Sequence, residues 1–304
     1  MALRLFGPLM VLLFCLSQAF RDVYLGHVFQ RADFFVVILL AFVPSTLFFA
    51  GLSAWRTPGD WRRLAGAWRI ILAMNITTGL AWTSYFFGLS QIEPAVVNTL
   101  HSGIGPLTVI ALAFAGFSIA GKSELSRAEG WCHAGVALTL AGLWFAVLAG
   151  WSGLPATGST LVALTLLVLS GASITISHLY ARRMHEAKFG SETITAVRYG
   201  FIMIGAVIAI WLLDRPSGVS GAGDAAFLGI AAALLIALPL YILQIGVSRT
   251  PQMTAHVIRS LGPVFVFALE QFDGRLTLSF PVFALILLYS AFVIAANFLR
   301  GWKS

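Results

Sequence analysis

The chain has 304 residues, of which 59% are hydrophobic and 10% charged, and its mean hydropathy is +0.90. A soluble globule covers its surface with about 25% charged residues, so a water-soluble fold is excluded and the chain reads as a polytopic membrane protein. The net charge of +7 is no nucleic-acid signal, because the placement of the basic residues along the spans accounts for it.

Apolar runs of about 20 residues fall at 5 to 26, 33 to 54, 68 to 90, 94 to 118, 131 to 151, 158 to 181, 192 to 213, 225 to 247, 252 to 271 and 279 to 299. The runs are too long and too evenly apolar for the alternating strands of an outer-membrane barrel. The expected fold is therefore all-α, with ten transmembrane helices and no room for a soluble domain. Placing the amino terminus in the cytoplasm puts thirteen basic residues on that side, among them Arg56, Arg62, Arg63, Arg182, Arg183 and Arg300, against Arg31, Arg215 and Arg275 outside. This is the bias of the positive-inside rule. Ten spans then return the carboxyl terminus to the cytoplasm. The three basic residues left over, Arg21, Arg198 and Arg259, lie within the membrane.

The first run has a bare inner half and an outer half carrying Ser17, Gln18, Arg21 and Asp22. Two readings stand: Gln18 and Arg21 look into a cavity, or Arg21 snorkels to the headgroups beside Asp22. A secretory signal ending at Ser17-Gln18-Ala19 is disfavoured, because a duplicated fold needs this helix. Cys15 and Cys132 are packing residues in apolar helices. The second run carries no charge beyond its first residues and is expected to face lipid. The third places Asn75, Thr78, Trp82 and Tyr85 at spacings of three and four, a stripe that serves as helix-helix glue or as a ligand-facing wall. In the fourth, Asn98 and His101 precede Gly105-Pro106, and His101 is either a buried hydrogen-bonded histidine or a cavity residue. Pro106 interrupts the backbone ladder and is a candidate hinge. His133 in the fifth run reads as structural.

The uncharged linker Ser152 to Gly158 separates two five-helix units, 1 to 151 and 158 to 304. An odd number of spans per unit gives the two units opposite orientation, an architecture recurrent in transporters. The sixth run carries Ser170, Ser173 and Ser177 on one face with His178 beside them. In the seventh, Arg198 is read as snorkelling to the cytoplasmic face. The eighth ends in Tyr241 and Gln244, an echo of Tyr85 before Pro94. The ninth, Pro251 to Glu270, is read as one helix carrying His256, Arg259, Pro263 and Glu270 on one face at about 100° per residue. Pro251 precedes Gly262-Pro263 by twelve residues, as Pro94 precedes Gly105-Pro106, which argues for duplication. Charges on that face require partners or a watery cavity. Arg259 and Glu270 are eleven residues and about 16 Å apart along a helix, too far to pair. The tenth run, uncharged, reads as a lipid-facing strut.

The segments Tyr85 to Asn98 with Gly105-Pro106-Leu107, Glu192 to Tyr199, and Pro251 to Pro263 resemble the EamA branch of the drug/metabolite transporter superfamily, inner-membrane carriers of two inverted five-helix repeats. The glycine-glutamate step that follows helix 4 in that family is here Gly121-Lys-Ser-Glu124, and the one after helix 9 is Asp273-Gly274-Arg275. The resemblance implies a multi-pass protein of the bacterial inner membrane that moves a small metabolite, usually outward, by alternating access around helices 1, 3, 4, 6, 8 and 9. It brings amino acids, nucleobases, sugars, drugs and amino-acid-derived metal chelators as substrate classes.

Nothing points to an enzyme: there is no phosphate loop, no serine-histidine-carboxylate set and no zinc spacing, so no metal or cofactor is expected. The expected substrate-binding set is Arg259, His256, His101, Asn98, Trp82, Tyr85, Tyr241, Gln244, Gln18, Arg21 and His178. Basic side chains outnumber acidic ones in it, so an anionic or zwitterionic amino-acid-derived solute is favoured, such as an amino acid or opine-type metallophore. Glu270 and His256 are the expected proton carriers, and Pro106 and Pro263 the hinges. The partners are that solute and the lipid bilayer, with no nucleic acid; a homodimer is left open. The alternatives are an exporter of drugs, nucleobases or sugars, and a structural membrane subunit whose buried charges only pair with one another.

Overall fold

The computed structural model describes residues 2–29, 32–117, 126–213, 221–250, 252–274 and 276–301, without the side chains of Gln244, His256 and a few others. Its helices are α1 (Ala2–Val28), α2 (Phe34–Arg56), α3 (Pro58–Arg63), α4 (Trp68–Gln91), α5 (Pro94–Phe114), α6 (Arg127–Leu148), α7 (Thr160–Glu186), α8 (Ser191–Val197), α9 (Gly200–Leu213), α10 (Ala222–Ser248), α11 (Gln252–Ser260), α12 (Gly262–Glu270) and α13 (Phe280–Gly301), and the described residues form no strand. Among the described residues, nine stretches are long and apolar enough to cross a membrane. Such spans must be helical, because lipid offers the backbone no hydrogen-bond partner. The chain is a polytopic helical membrane protein.

Helix ends are closed by local chemistry. Asp33 accepts the Phe35 amide at 2.8 Å to start α2. Ser126 and Glu129 form a reciprocal capping box that starts α6.

Two spans are broken, and one corrects the sequence reading. Pro251 to Glu270 is not one helix: α11 and α12, nine residues each, meet at Leu261. Pro263 has no amide hydrogen for the Arg259 carbonyl, and the neighbouring Ser260 carbonyl is taken instead by the Ser290 hydroxyl at 2.9 Å. By contrast α5 runs unbroken through Pro106. The second break, at Arg198 and Tyr199, divides α8 from α9. Asn75 of α4 closes it from both sides, donating to the Val197 carbonyl at 2.6 Å and accepting the Phe201 amide at 3.1 Å.

The principal packing pairs are α4 with α7, α1 with α10, α6 with α13, α2 with α10 and α5 with α7. Small residues let these backbones approach: a Cβ on Gly171 of α7 would lie 2.6 Å from the His101 carbonyl of α5. The α2 helix is not simply a lipid-facing element, since it packs on α8, α9 and α10. At one end of the bundle the polar ties are Arg56 to Glu192 at 3.2 Å, Gly190 N–H to Asp60 at 2.8 Å and Arg300 to Glu129 at 3.2 Å. At the other end the Gly153 amide donates to Glu93, the Ala95 amide donates to Glu270 at 3.0 Å, and the Ser279 hydroxyl donates to the Trp151 carbonyl. Among the described residues this second end is stitched by these hydrogen bonds.

Glu93 lies in the turn between α4 and α5, is 2% exposed, and its Oε1 has no hydrogen-bond partner. Burial pushes its carboxyl up to about 7, partly opposed by the Gly153 amide. A carboxyl whose folded value lies above its unfolded one favours the protonated fold, so its contribution is complete below about 4.5 and lost as pH rises through about 7. Glu93→Gln removes that titration. Melting temperatures of the detergent-solubilised protein across this range should therefore fall less steeply for the variant, with the variant the more stable above pH about 7.

Candidate functional site

A cavity of about 630 Å³ lies among the helices, lined by α1 (Gln18, Arg21), α4 (Trp82, Tyr85), α5 (Asn98, His101, Pro106), α7 (His178), the α8–α9 break (Arg198, Tyr199), α11 and α12 (Arg259, Gly262), α6 (His133) and α13 (Tyr289, Asn297, Arg300). It runs from buried residues such as Tyr85 and Asn98 to Arg300, whose side chain is 64% exposed. Its mouth is thus at the end tied by Arg56 and Glu192, opposite the stitched end.

The floor is a charged network that spans three helices. Arg21 donates Nε and Nη2 to Asp22 Oδ1 at 2.9 and 2.7 Å, while Tyr85 Oη and Asn98 Nδ2 donate to Oδ2 at 2.7 and 2.8 Å. Asp22 is completely buried. Four donors satisfy both its oxygens, which is what allows an ionised pair inside a membrane bundle. The Arg21 guanidinium also lies 5.1 Å over Trp82. Arg21 is therefore not snorkelling to the headgroups: its charge is neutralised by the next residue and held against the cavity.

One wall is set by α7. The Ser170 hydroxyl donates to the Ala81 carbonyl at 2.7 Å and meets His101 Nδ1 at 2.8 Å. A serine has one hydroxyl proton, so here His101 Nδ1 is the donor. Arg198 donates Nη2 to Ser177 Oγ at 3.0 Å, and Ser177 also pairs with Thr78 at 2.6 Å. Arg198 is 9% exposed and its Nε has no partner. Arg259 is exposed to the cavity and makes no hydrogen bond or ion pair with any described residue. It sits at the carboxyl end of α11, beside the break that Pro263 produces.

Of the expected residues, Arg259, His101, Asn98, Trp82, Tyr85, Gln18, Arg21, His178 and Pro106 line this one cavity. Tyr241 does not line it; Leu243 does so from the same helix. The side chains of His256 and Gln244, and the whole of Pro251, lie outside the described residues. Glu270 is 2% exposed at the stitched end, bound to the Ala95 amide, and Pro263 is buried. Neither borders the cavity. The Asn75 to Tyr85 stripe divides: Asn75 and Thr78 are helix-helix ties, Trp82 and Tyr85 cavity wall.

Sequence reasoning missed Arg198, His133 and one whole face of α13. Arg198 was assigned to the membrane face, but the break at its own position turns it inward. The α13 helix is no lipid-facing strut, since Tyr289, Val293, Ala296, Asn297 and Arg300 line the cavity. Their spacing of three, four and seven is a helical stripe, and that period was readable. His133, assigned a structural part, also lines the mouth.

Asp22→Ala is expected to destabilise the protein by about 3 to 5 kcal/mol, because it strands the buried Arg21 charge. Tyr85→Phe should cost about 1.5 to 3 kcal/mol, the worth of a hydrogen bond to a charged group. An Arg21→Met, Asp22→Ala double variant should recover part of the first loss if the pair acts as a unit. Thermal unfolding in detergent measures all three.

No protein-family model matches the chain, and no curated protein matches it. Among solved structures, one crystal structure whose description names no activity aligns with a TM-score of 0.64 at 18% identity, covering 100% of this chain and 99% of that one. The likeness is one of fold over the whole length.

Proposed function

We propose that this chain is a carrier of the bacterial inner membrane, related to the EamA branch of the drug/metabolite transporters, that moves a small anionic or zwitterionic amino-acid-derived solute outward by alternating access. The observation that carries the reading is the charge of the cavity. Among the described residues its lining holds Arg21, Arg198, Arg259 and Arg300 and no aspartate or glutamate. A cation path would line itself with carboxylates. Arg259, exposed and unpaired at the end of a broken helix, is the group to which a solute carboxylate binds. Such unwound midpoints hold substrates in transporters. A carboxylate accepting two bonds from the guanidinium relieves the cost of that charge as the cavity closes, which links binding to the conformational change.

Ten spans in two inverted repeats fit the packing. Exchanging α1, α2, α4, α5 and α6 for α7, α8–α9, α10, α11–α12 and α13 turns the α4–α7 pair into α10–α1, the α5–α7 pair into α12–α1 and the α5–α6 pair into α11–α13, all of which are packed pairs. The pairs α6–α13, α2–α9 and α5–α12 map onto themselves. With the amino terminus in the cytoplasm, the cavity opens inward and the end stitched by Glu93 and Glu270 faces outward.

Two experiments test this. In a protein without Cys15 and Cys132, an impermeant thiol reagent added outside cells should label Ala156→Cys and not Ala187→Cys; the reverse pattern would falsify the topology. In inside-out vesicles, Arg259→Lys should take up a carboxylated amino-acid derivative more slowly, on the order of tenfold, since it keeps the charge but loses the fork. Arg259→Ala should be slower still. A fully active Arg259→Ala protein, or equal uptake of the decarboxylated compound, removes Arg259 from binding.

A further inference from the structure

We propose that the solute carries two anionic groups, and that Arg198, at the break between α8 and α9, is the second anion-binding residue of the cavity. The inference rests on the reading of Arg259 above and adds a second subsite to it. The four lining arginines divide by partner. Arg21 is paired with Asp22 at 2.7 Å and Arg300 with Glu129 at 3.2 Å. Arg198 and Arg259 have no carboxylate partner among the described residues. A single carboxylate bound at Arg259 would leave one guanidinium uncompensated inside the bundle, where an isolated charge is costly.

The geometry at Arg198 is that of an unfinished binding group. Its Nη2 is anchored on Ser177, which is itself tied to Thr78 of α4, and its guanidinium lies 5.6 Å from the centre of the Tyr199 ring. Its Nε is buried and unpartnered. The helix break is clamped by Asn75, so the side chain is presented from a fixed backbone. A snorkelling arginine reaches water at the membrane face; this one is 9% exposed and lines the cavity. His178, Arg198 and Arg259 line the same cavity, so the two cations face one space. His101 and His178 supply polar ring edges to the same cavity, and Trp82, Tyr85, Tyr199 and Tyr289 supply aromatic surface. The fitting solute is thus a small dicarboxylate with a compact middle, and an amino group on it is accommodated by hydroxyl oxygens and histidine ring nitrogens.

The test uses purified full-length protein and reads ligand affinity from thermal stabilisation, with succinate, glutarate and adipate compared against butyrate, valerate and caproate at constant ionic strength. The wild type should bind the best dicarboxylate on the order of tenfold tighter than the monocarboxylate of equal length, one charge-assisted contact's worth. Arg198→Gln should lose that preference and keep monocarboxylate binding, and Arg198→Lys should retain part of it. Arg259→Gln should weaken both classes. Equal affinity of the wild type for both classes, or an Arg198→Gln protein that still prefers dicarboxylates, overturns the second subsite while leaving Arg259 in place. Binding of either class unaffected by Arg259→Gln overturns the reading beneath it. An Arg198→Gln protein whose ligand-free melting temperature matches the wild type while the preference vanishes separates binding from a merely structural part.

Discussion

The structure depends on one electrostatic constraint: a charge inside a membrane bundle must be answered by another group. Asp22 answers it for Arg21 and in doing so ties α1 to α4 and α5 through Tyr85 and Asn98. These four residues come from three separate helices, so the cavity floor is built of the same contacts that hold the bundle together. Replacement of any one of them is felt in stability before it is felt in binding, because the low surrounding polarity makes an unanswered partner expensive.

The same constraint explains why the unpaired cations sit at helix breaks. An arginine on a continuous span faces whichever direction its helical phase assigns. At Arg198 and Arg259 the ladder is interrupted, and freed backbone groups are taken up by side chains of neighbouring helices, Asn75 in one case and Ser290 in the other. Such contacts reduce the cost of interrupting a helix inside a membrane. They deliver a charged side chain into water-accessible space from a backbone held by a second helix.

The two ends of the bundle differ in how they are closed. At the Glu93 end, carboxylates accept backbone amides from other segments, contacts that need close approach: a Cβ on Gly153 would sit 2.7 Å from Glu93 Oε2. At the Arg56 end, the Asp60 carboxylate likewise accepts the Gly190 amide, and two ion pairs with exposed arginines, Arg56 to Glu192 and Arg300 to Glu129, are added to it. The cavity mouth lies at this end, where Arg300 is exposed.

The sequence by itself determined that the chain crosses a membrane many times, because hydropathy over about 20 residues is a local property that no tertiary contact can reverse. It also determined that Arg21, Asn98, His101, His178 and Arg259 are out of place in lipid, and the structure gathers all of them at one cavity. Only the tertiary structure decided which charges are already answered. Adjacency of Arg21 and Asp22 left headgroup pairing and cavity pairing equally open, and the choice was made by Tyr85 and Asn98 from other helices. Nor was the direction of Arg198 written locally, since it depends on a break that Asn75, more than a hundred positions earlier, completes. Glu270 shared the helical phase of Arg259 in sequence, yet Pro263 and the break at Leu261 interrupt that phase and leave the carboxyl at the stitched end. Hydrophobic length is read along the chain; charge compensation is settled between helices.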